Sequence, residues 1–559
     1  MEDVIRTAIN DVLKTLGISG VDFTVEHPGE INHGDYTANV ALVAAKQLRQ
    51  SPRAVAEQIR AALDGQIEYV DRIEIAGPGF INFYLARDFF TAELGRVQAQ
   101  RDAWGRGDTQ SGEVVLFEYT SPNLFKPLHI GNLVGNIVGE SLTRLFEMAG
   151  ADVRRMNYPS DIGLTVAKGV WGLQKSAGNP DDILALGEAY RVGNDAYEND
   201  EAAKAEIMVI NQALYAGSDA TLLNLRARGI ATSRASLASL CAKLGTKFDT
   251  EITESEASVP GTMIVKDNIG PVFTESNGAV VYEGEKVGLH TRVFLNSQGL
   301  PTYEAKDVGH FTLKTAAHPD WTQSIIVTAN EQTEYFKVLY AALSELFPET
   351  KEKILEHIAT GYLTLTTGKM SSRKGNVLTG ESLFAEVEEA ARIRATESRA
   401  EDIDQLSEEL AVAAIKYQIL RNSVGSNIVF DKDKALSFEG DSGPYLQYTH
   451  ARILSVLEKA HQAGVIPSTA VVPESIYPVE QLLYRFPEVV AKALDERAPH
   501  KVVGYLTELA GSFNTFYANE KIADASDAHA PYKAALAEAV AVTLKNGLWV
   551  LGITAPERL

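Results

Sequence analysis

The stretch Pro127-Leu128-His129-Ile130-Gly131-Asn132 is the strongest indicator of the fold, because it stands where an apolar strand gives way to an amphipathic helix. The apolar run Val114-Val115-Leu116-Phe117 precedes it, and a turn through Ser121-Pro122-Asn123 joins the two. The helix that follows has apolar residues at helical spacing and Gly150 as its expected C′ residue. A strand, a turn and a helix in this order predict one unit of a parallel sheet with crossover helices.

The residues from His129 to Asn132 fall at the N-terminus of this predicted helix, and such an end suits a triphosphate. Backbone N–H groups are free there, and the helix dipole is positive. Gly131 lets a nucleotide approach the backbone closely, and His129 can donate hydrogen bonds to phosphate oxygens. A His followed by Gly at a helix start also fits an ordinary turn, so this motif alone leaves both interpretations open.

A second run, Lys369-Met370-Ser371-Ser372-Arg373-Lys374-Gly375-Asn376, is a basic, glycine-containing segment far along the chain. A mobile loop of this kind can bring ammonium and guanidinium groups to a departing pyrophosphate. Most short basic runs are solvated surface loops, which is the alternative for this run taken alone. The two runs together are far more specific than either one.

Length, charge and cysteine content limit the classes of protein that fit. A chain of 559 residues is too long for one hydrophobic core, and its net charge of -22 argues against indiscriminate nucleic-acid binding but not against a selective RNA enzyme. The one cysteine, Cys241, excludes internal disulfides and a zinc site built on paired thiolates. The acidic start Met1-Glu2-Asp3, and the lack of an apolar stretch of roughly 20 residues, predict a cytoplasmic protein with no membrane contact.

Two polar, poorly periodic stretches, 100–113 and 398–409, predict three domains. The first, residues 1–105, is expected to be α+β. The second, residues 106–395, is expected to be α/β with a parallel sheet and an insertion at about 170–300. The third, residues 396–559, is expected to be nearly all helical. The patterns behind these expectations are helical at 4–16, 37–63, 183–244, 411–420 and 448–460, and strand-like at 72–75, 80–85, 114–117, 154–158 and 324–328.

The two runs resemble the signatures of class I aminoacyl-tRNA synthetases, commonly written HIGH and KMSKS. In this chain the first signature ends in Asn132 instead of His, and the second has Ser372 where a lysine is usual. Asn132 can still donate a hydrogen bond, although it cannot become cationic. Lys126 and Lys374 are candidates to supply the displaced charge. The resemblance implies a Rossmann-like catalytic core.

Acidic residues near the first signature point to a cationic amino acid. Glu118 lies at the end of the strand before the phosphate turn, while Tyr303 and Asp307 are four residues apart and share one face of a helix. A guanidinium needs planar carboxylate partners and is costly to desolvate without them. These groups could therefore line a pocket for arginine.

From about residue 30 to the C-terminus the chain resembles the arginyl-tRNA synthetase family. The resemblance is carried by 121–129, 247–249, 375–377 and 438–453. It implies arginine contacts at Glu118, Asn123, Tyr303, Asp307 and Gln332, with Asp161 close to the substrates. It further implies ATP contacts at Pro127, His129, Gly131, Asn132, Tyr362, Met370 and Ser371.

The implied reaction forms arginyl-adenylate from L-arginine and ATP with Mg²⁺, and then transfers arginine to the 3′ end of tRNA(Arg). Catalysis is expected from positioning and from stabilisation of phosphate charge, without zinc or a covalent enzyme intermediate. The family also implies that tRNA binds before the adenylate forms. A monomer is expected. The catalytic residues implied are Lys126, His129, Asn132, Lys369 and Lys374, and the tRNA contacts implied are Phe80, Asn82, Tyr445 and Tyr448.

Two alternatives remain open at the level of sequence. A class I synthetase for cysteine shares the architecture, but its pocket uses zinc held by thiolates, which a single Cys does not supply. A catalytically weak paralogue that binds RNA without aminoacylating it is supported only by Asn132 and Ser372. Measuring ATP–pyrophosphate exchange separates these alternatives.

Overall fold

The computed structural model describes residues 1–366, 379–396 and 402–559. These residues form two compact units, each built from segments that are distant in sequence. No helix within the described residues is long and apolar enough to span a bilayer. The first unit comprises 1–104, 449–487 and 508–546, and the second comprises 105–448, 488–507 and 547–559.

The N-terminal part of the first unit is a four-stranded antiparallel sheet covered by helices. In spatial order its strands are β1 (Val25–Glu26), β2 (Tyr36–Ala38), β4 (Phe80–Leu85) and β3 (Val70–Ala76). One face of β4 carries Ile81, Phe83 and Leu85, which are buried in the core, so the strand predicted for 80–85 is confirmed. The elements are α1 (Glu2–Thr15), β1 (Val25–Glu26), β2 (Tyr36–Ala38), α2 (Val40–Leu48), α3 (Pro52–Leu63), β3 (Val70–Ala76), β4 (Phe80–Leu85) and α4 (Arg87–Gln100).

The second unit is built around a five-stranded sheet in the order β12-β11-β5-β6-β7, with every neighbouring pair parallel. The predicted parallel sheet with crossover helices is confirmed. Because all strands run the same way, their carboxyl ends meet at one edge, where ligands bind in sheets of this type. The strands are β5 (Val114–Glu118), β6 (Asp152–Asn157), β7 (Thr250–Glu251), β11 (Gln323–Ala329) and β12 (Ile354–Thr360).

Helices of the second unit cover this sheet and carry the candidate site. The first of these helices, α5 (Ile130–Met148), begins directly after His129 and is buried along most of its length. Gly150 follows the end of this helix with a φ of 92°, which confirms that it is the predicted C′ residue. A smaller antiparallel sheet has the order β10-β9-β8. The elements are α5 (Ile130–Met148), α6 (Leu164–Ser176), α7 (Ile183–Asn199), α8 (Glu201–Ala216), α9 (Ala220–Lys243), α10 (Glu254–Asp267), β8 (Thr274–Ser276), β9 (Ala279–Tyr282), β10 (Arg292–Leu295), α11 (Tyr303–Ala317) and α12 (Thr333–Leu346).

From residue 402 onward the chain is nearly all helical, as predicted, apart from one strand of a short parallel pair. That pair is β13 (Leu363–Leu365) with β14 (Ile428–Phe430). Helix α13 (Gly380–Ala395) precedes this part, whose helices are α14 (Ile403–Leu420), α15 (Lys432–Ala435), α16 (Gly443–Gln462), α17 (Pro478–Leu483), α18 (Phe486–Asp495), α19 (Pro499–Asn519) and α20 (Ala530–Val550).

Two local expectations differ from the structure. The helical prediction for 37–63 was wrong at its start, because Thr37 and Ala38 pair with β4 in the sheet and the helix begins only at Val40. The range predicted as an insertion, 170–300, contains β7, which belongs to the main sheet. A two-residue strand is too short to produce a recognisable alternation, so its pairing is a tertiary effect.

Candidate active site

The turn after β5 holds three non-glycine residues in the left-handed region of backbone space. Thr120, Ser121 and Phe125 have φ values of 75°, 36° and 74°. Such conformations are strained and persist only where surrounding contacts hold them. The ring of Phe125 packs directly on Gly169 of α6 and Gly229 of α9, where an added Cβ would collide with it. Two helices therefore clamp the turn that leads into the first signature.

His129 caps α5 with its own side chain. Its Nδ1 accepts a hydrogen bond from the backbone N–H of Gly131 at 3.1 Å, so in the neutral ring the proton lies on Nε2. The side chain is exposed, while partial desolvation and the nearby charge of Lys126 lower its pKa. A neutral imidazole at a helix N-terminus, with its Nε2–H directed away from its own backbone, can donate to a phosphate oxygen.

Asn132, the departure from the usual signature, contacts the strained turn. Its Nδ2 donates to the carbonyl oxygen of Thr120 at 2.7 Å. Asn136, one helical turn further, donates to the Thr120 hydroxyl at 2.9 Å and accepts from Thr246 at 3.0 Å. The carboxamide at 132 therefore helps hold the backbone of the turn in place.

Lys126 and Pro127 lie against the helix α7. The Lys126 ammonium is 4.4 Å from the ring centroid of Tyr190, and burial together with the charge of Lys168 lowers its pKa. Pro127 packs against Gly187, where an added Cβ would lie 2.9 Å from the proline ring. The lysine is half-buried beside the turn.

The predicted pyrophosphate loop falls outside the described residues, and with it Lys369, Met370, Ser371 and Lys374. The chain that follows this gap contacts the first signature directly. Thr379 forms an antiparallel bridge with His129, the Gly380 N–H donates to the Leu128 carbonyl at 2.9 Å, and Glu381 accepts from the Leu128 N–H at 3.1 Å. Helix α13 thus begins against the start of α5.

Three acidic residues from different elements meet at the carboxyl edge of the main sheet. The first, Glu118, ends β5 and is buried. Its Oε2 accepts from His310 Nε2 at 2.8 Å and from Lys314 Nζ at 3.2 Å. Burial raises its pKa, but the attraction of His310 and Lys314 outweighs this and lowers the pKa to about 2. Tyr158 stacks on the His310 ring, with centroids 3.8 Å apart.

The second carboxylate, Glu254, opens helix α10 and forms an ion pair with Lys306 of α11. Both side chains are buried. Burial raises the pKa of Glu254 by more than the attraction of Lys306 lowers it. The Lys306 ammonium also lies 4.5 Å from the ring centroid of Tyr303.

The third carboxylate, Asp307, follows Lys306 on α11 and accepts a hydrogen bond from the hydroxyl of Tyr335 on α12. Desolvation, reinforced by the charges of Glu118 and Glu254, raises the pKa of Asp307 to about 8. A carboxyl group with so high a pKa is mostly protonated at neutral pH, and a cation that reaches it favours the ionised form. The structure thus brings together Glu118, Asp307 and Tyr303 from the predicted arginine site.

The other predicted arginine residues occupy different surroundings. Asn123 forms a bridge with Ser160 beside the strained turn, and Gln332 is exposed at the start of α12. Asp161 is buried, and its carboxylate accepts from Arg226 at 2.7 Å and from the hydroxyl of Ser255 at 2.7 Å. These bonds tie α9 and α10 to the loop before α6, next to Glu254.

Tyr362, the predicted adenine neighbour, is exposed after β12. Its hydroxyl donates to Glu331 at 2.7 Å, and Glu331 is close enough to His129 to influence that imidazole electrostatically. Tyr362 and His129, both predicted to contact ATP, therefore both lie near Glu331.

The predicted tRNA contacts differ in exposure. Phe80 is partly exposed on the sheet of the first unit, whereas Asn82 is buried and accepts from the Thr37 hydroxyl at 2.7 Å. Tyr445 is half-buried in the first turn of α16, and Tyr448 is exposed with its ring 6.1 Å from that of Phe438. Their roles toward RNA stay predictions.

Sequence reasoning missed four ionisable groups close to Glu118 and Asp307. Three lie on α11 with Asp307, and helical spacing could have indicated them, because residues 306, 310 and 314 are four apart. The fourth is the acidic residue at the start of α10, whose capping box at Thr253 and Glu256 was a visible helix-start signal. The missed residues are Glu254, Lys306, His310 and Lys314.

Comparisons with known proteins agree over the whole chain. Residues 97–432 match the family described as tRNA synthetases class I (R), catalytic domain. Residues 3–85 match the arginyl tRNA synthetase N terminal domain, and residues 446–559 match the DALR anticodon binding domain.

Individual relatives extend this similarity. The chain is 30% identical to the arginine–tRNA ligase of Treponema denticola, over 94% of this chain and 92% of that protein. It is 29% identical to the enzyme of the same name from Lactococcus lactis, over 100% and 99%. The arginyl-tRNA synthetase of Thermus thermophilus matches with a TM-score of 0.80 and 25% identity over the full length of both chains. The chain belongs to the arginyl-tRNA synthetase family, the class I, AMP-forming arginine–tRNA ligases.

Proposed function

We propose that the chain binds the guanidinium of L-arginine at Asp307, activates the amino acid with ATP beside His129, and transfers it to tRNA(Arg). The observation that carries this proposal is the state of Asp307. It is the one carboxylate of the described pocket cluster whose hydrogen-bond partner is a neutral hydroxyl, whereas Glu118 and Glu254 each face a lysine. A guanidinium, which is a planar cation with several N–H donors, can form a charge-assisted pair with the Asp307 carboxylate.

The remaining arginine contacts follow from position. Tyr303 borders the pocket through its contact with Lys306, and Asn123 and Gln332 lie at the carboxyl edge of the sheet, where they would meet the α-amino and carboxylate groups. Glu118 acts through His310 and Lys314, since its carboxylate oxygen already accepts from both. Asp161 positions Ser255 and Arg226 rather than exposing a free carboxylate.

Activation requires that the arginine carboxylate attack the α-phosphate of ATP in line with the departing pyrophosphate. His129 would donate through Nε2 to a phosphate oxygen, while the free N–H groups at the start of α5 receive further negative charge. Lys126 contributes a cation beside the same turn. Gly131 and Pro127 border the phosphates, and Tyr362 faces the adenine.

Mg²⁺ belongs to the ATP substrate in this proposal. The described residues contain no cluster of three or more His, Cys, Asp or Glu side chains fit to hold a metal ion. Mg²⁺ prefers phosphate oxygens and water and is commonly carried by a nucleotide. The basic run with Lys369, Met370, Ser371 and Lys374 is proposed to approach the pyrophosphate.

Transfer to RNA needs no nucleophilic side chain, because the terminal ribose hydroxyl attacks the mixed anhydride. The helical C-terminal part is proposed to read unpaired anticodon bases by stacking on Tyr445 and Tyr448. Phe80 is proposed to stack on an unpaired base at the outer corner of the tRNA, with Asn82 behind it. We further propose that the enzyme works as a cytoplasmic monomer.

The proposal is tested by ATP–pyrophosphate exchange with each amino acid in turn, in the presence and absence of tRNA(Arg). Exchange should depend on arginine and should require the tRNA. Asp307→Ala should raise the arginine KM at least about a hundredfold while leaving the ATP KM within about twofold, since loss of one charge-assisted contact costs roughly 3 kcal/mol. A variant with an unchanged arginine KM would remove Asp307 from the pocket.

A further inference from the structure

The three buried acidic residues of the arginine pocket differ in what balances their charge. Glu118 has Lys314 within 3.2 Å, and Glu254 is ion-paired with Lys306. Asp307 has the hydroxyl of Tyr335, which carries no charge. Burial lowers the pKa of His310, so this imidazole is counted as neutral. When all three carboxylates are ionised, the two lysines then oppose three anions, and one negative charge is left for a ligand.

Lys306 directly precedes Asp307 in α11, and its side chain is buried rather than in solvent. Its side chain is 5% exposed, and that of Glu254 is 7% exposed. The ammonium faces the ring of Tyr303 at 4.5 Å and is 4.0 Å from the point where a Cβ on Gly163 would lie. Gly163 has a φ of 106°, a conformation that disfavours any side chain there. Because Lys306 also acts electrostatically on Asp307, a cation bound at Asp307 would lie within the field of this ammonium.

Stability alone gives a poor account of the pair between Lys306 and Glu254. Removing two charges from water costs about as much as their attraction returns, so a buried ion pair is a weak stabiliser compared with an apolar pair of the same shape. Burial indeed still raises the pKa of Glu254 despite the lysine. The position next to Asp307 offers a functional account.

We propose that Lys306 is a specificity-determining residue, whose ammonium neutralises Glu254 so that the pocket offers one uncompensated carboxylate, Asp307, to one monocationic side chain. This inference rests on the proposed function and deepens it by naming the charge class that the pocket accepts. A guanidinium completes the balance. A neutral ureido side chain of the same shape, as in citrulline, does not.

Removing Lys306 takes away the cation that opposes Glu254 and Asp307. Ionisation of Asp307 then becomes harder, because Lys306 lowers its pKa whereas Glu254 raises it. Arginine would have to displace a more tightly held proton, whereas citrulline would not. The charged and titratable groups that surround Asp307 and Lys306 are Glu118, Tyr158, Asp161, Tyr215, Arg226, Glu254, Arg292, Tyr303, Glu304, His310, Lys314, Tyr335 and Tyr340.

The test is equilibrium binding of L-arginine and L-citrulline to the full chain by titration calorimetry, between pH 6 and pH 9.5. In Lys306→Met the pH midpoint of arginine binding should rise by about one unit, which corresponds to a Kd about tenfold higher at pH 7. Citrulline affinity should stay within about threefold, so the preference for arginine narrows by about tenfold.

Two further variants isolate the charge. In Lys306→Met/Glu254→Gln both partners lose their charge together. The arginine Kd should then return to within about threefold of the wild-type value, and the pH midpoint of binding to within about 0.3 unit of it. Lys306→Arg keeps the cation and should stay within about threefold. A purely structural role for Lys306 would not move the midpoint, and thermal unfolding of each variant identifies loss of fold.

Glu254→Gln provides the opposite shift if Lys306→Met does not fold. Lys306 is then unpaired beside Asp307, so the midpoint should fall by about one unit and the arginine Kd should rise, because the lysine competes for the same carboxylate. The inference is overturned if Lys306→Met binds as the wild type does, or if the double variant is as weak as the single one. Failure of the wild type to bind arginine would overturn the proposed function as well.

Discussion

At the scale of single residues, Asn132 shows how a departure from a family signature can keep a structural task. Its carboxamide donates to the carbonyl of Thr120, the first of three residues with positive φ in the turn before α5. A strained turn needs such contacts to persist. An N–H donor at position 132 therefore matters here because of the backbone it holds, in addition to any contact with ATP.

Asn132→Asp should lower the rate of arginine-dependent pyrophosphate exchange about ten- to a hundredfold, because a carboxylate cannot donate to Thr120 and repels its carbonyl oxygen. Asn132→His retains an N–H donor and should keep more of the rate. The matched control is Asn199→Asp, which makes the same change at an exposed asparagine that donates to the carbonyl of Asp195. If Asn132→Asp catalyses pyrophosphate exchange as fast as Asn199→Asp does, Asn132 does not hold the turn at Thr120 in place.

Asp307 should make arginine binding dependent on pH. Its pKa of about 8 means that the empty pocket holds a proton below that pH, whereas a bound guanidinium requires the ionised form. The arginine Kd should thus fall about tenfold per pH unit from pH 6 to about pH 8 and level off above it. Binding at pH 7 should release close to one proton, measured by calorimetry in buffers of different ionisation enthalpy.

Asp307→Asn supplies the control for that titration. It removes the ionisable group, so the pH dependence and the proton release should disappear while the arginine affinity falls. If the variant retains the wild-type pH profile, the titrating group is not Asp307.

Individual site residues were predictable from sequence where a local pattern carried them. Asp307 and Tyr303 share a helix face, and Glu118 ends an apolar strand, so local spacing made each of them a candidate, which the family resemblance then assigned to arginine. Glu254 was missed, because its place in the pocket depends on α10 packing against α11. No spacing along the chain encodes that contact.

At the scale of elements, the site depends on the close approach of α6 and α9 to the turn after β5. Glycines at 169 and 229 leave room for the ring of Phe125, whose own φ of 74° is unfavourable. The turn then runs directly into α5 and places His129 at its cap. Packing of two helices on one ring is thus linked to the position of the first signature.

Gly229→Ala should destabilise the second unit by about 1–3 kcal/mol, because its Cβ would overlap the Phe125 ring in a closely packed core. Exchange activity should fall as well, since the turn must shift. Gly504→Ala is the matched control: it is an exposed position in α19 with open space around it, where alanine should be neutral or stabilise by roughly 0.5–1 kcal/mol. Denaturant unfolding of both variants tests this difference.

Three strands of the main sheet were predicted, whereas the seven-residue β12 and the two-residue β7 were not. β5, β6 and β11 are strands of five to seven residues, and parts of each were recognised in the sequence. β7 has two residues, and the start of 37–63 changes from strand to helix within two residues, so neither produces a periodic signal. Their pairing is decided by partners that are distant in sequence.

At the scale of the whole molecule, the second unit is closed by its own C-terminal segment. Lys416 of α14 is buried and donates to the carbonyl oxygens of Leu244 and Gly552, both at 2.6 Å. Arg144 of α5 donates to the carbonyl of Trp549 at 2.7 Å. Segments more than a hundred residues apart in sequence therefore converge on the helix that His129 begins.

Lys416 should make the stability of the chain depend on pH. Burial, assisted by the charge of Arg144, lowers its pKa to about 7, so the unfolded chain binds the extra proton between pH 7 and the ordinary lysine value of about 10.4. The free energy of unfolding should therefore rise with pH from 7 to 9, by at most about 1.4 kcal/mol per unit.

Lys416→Met should lose this rise and, at pH 9, should be less stable by about 1–3 kcal/mol, because two buried carbonyls lose their donor. The difference in unfolding free energy between the wild type and Lys416→Met should become smaller toward pH 6. At that pH Lys416 is protonated, and its buried charge destabilises the wild type. The control, Lys434→Met, alters an exposed lysine and should change stability by less than about 0.5 kcal/mol at every pH. Parallel pH slopes for Lys416→Met and the wild type would contradict the assignment.

The class of fold, the two signatures and the cationic substrate could all be predicted from the amino-acid sequence, because strand and helix periodicity and motif residues are local properties of the chain. The charge balance of the pocket could not, since Lys306 opposes Glu254 and Asp307 faces a neutral hydroxyl only in the folded molecule. The support that Asn132 gives to a strained turn likewise emerges only on folding. These properties depend on distances between elements, which packing of the folded chain establishes.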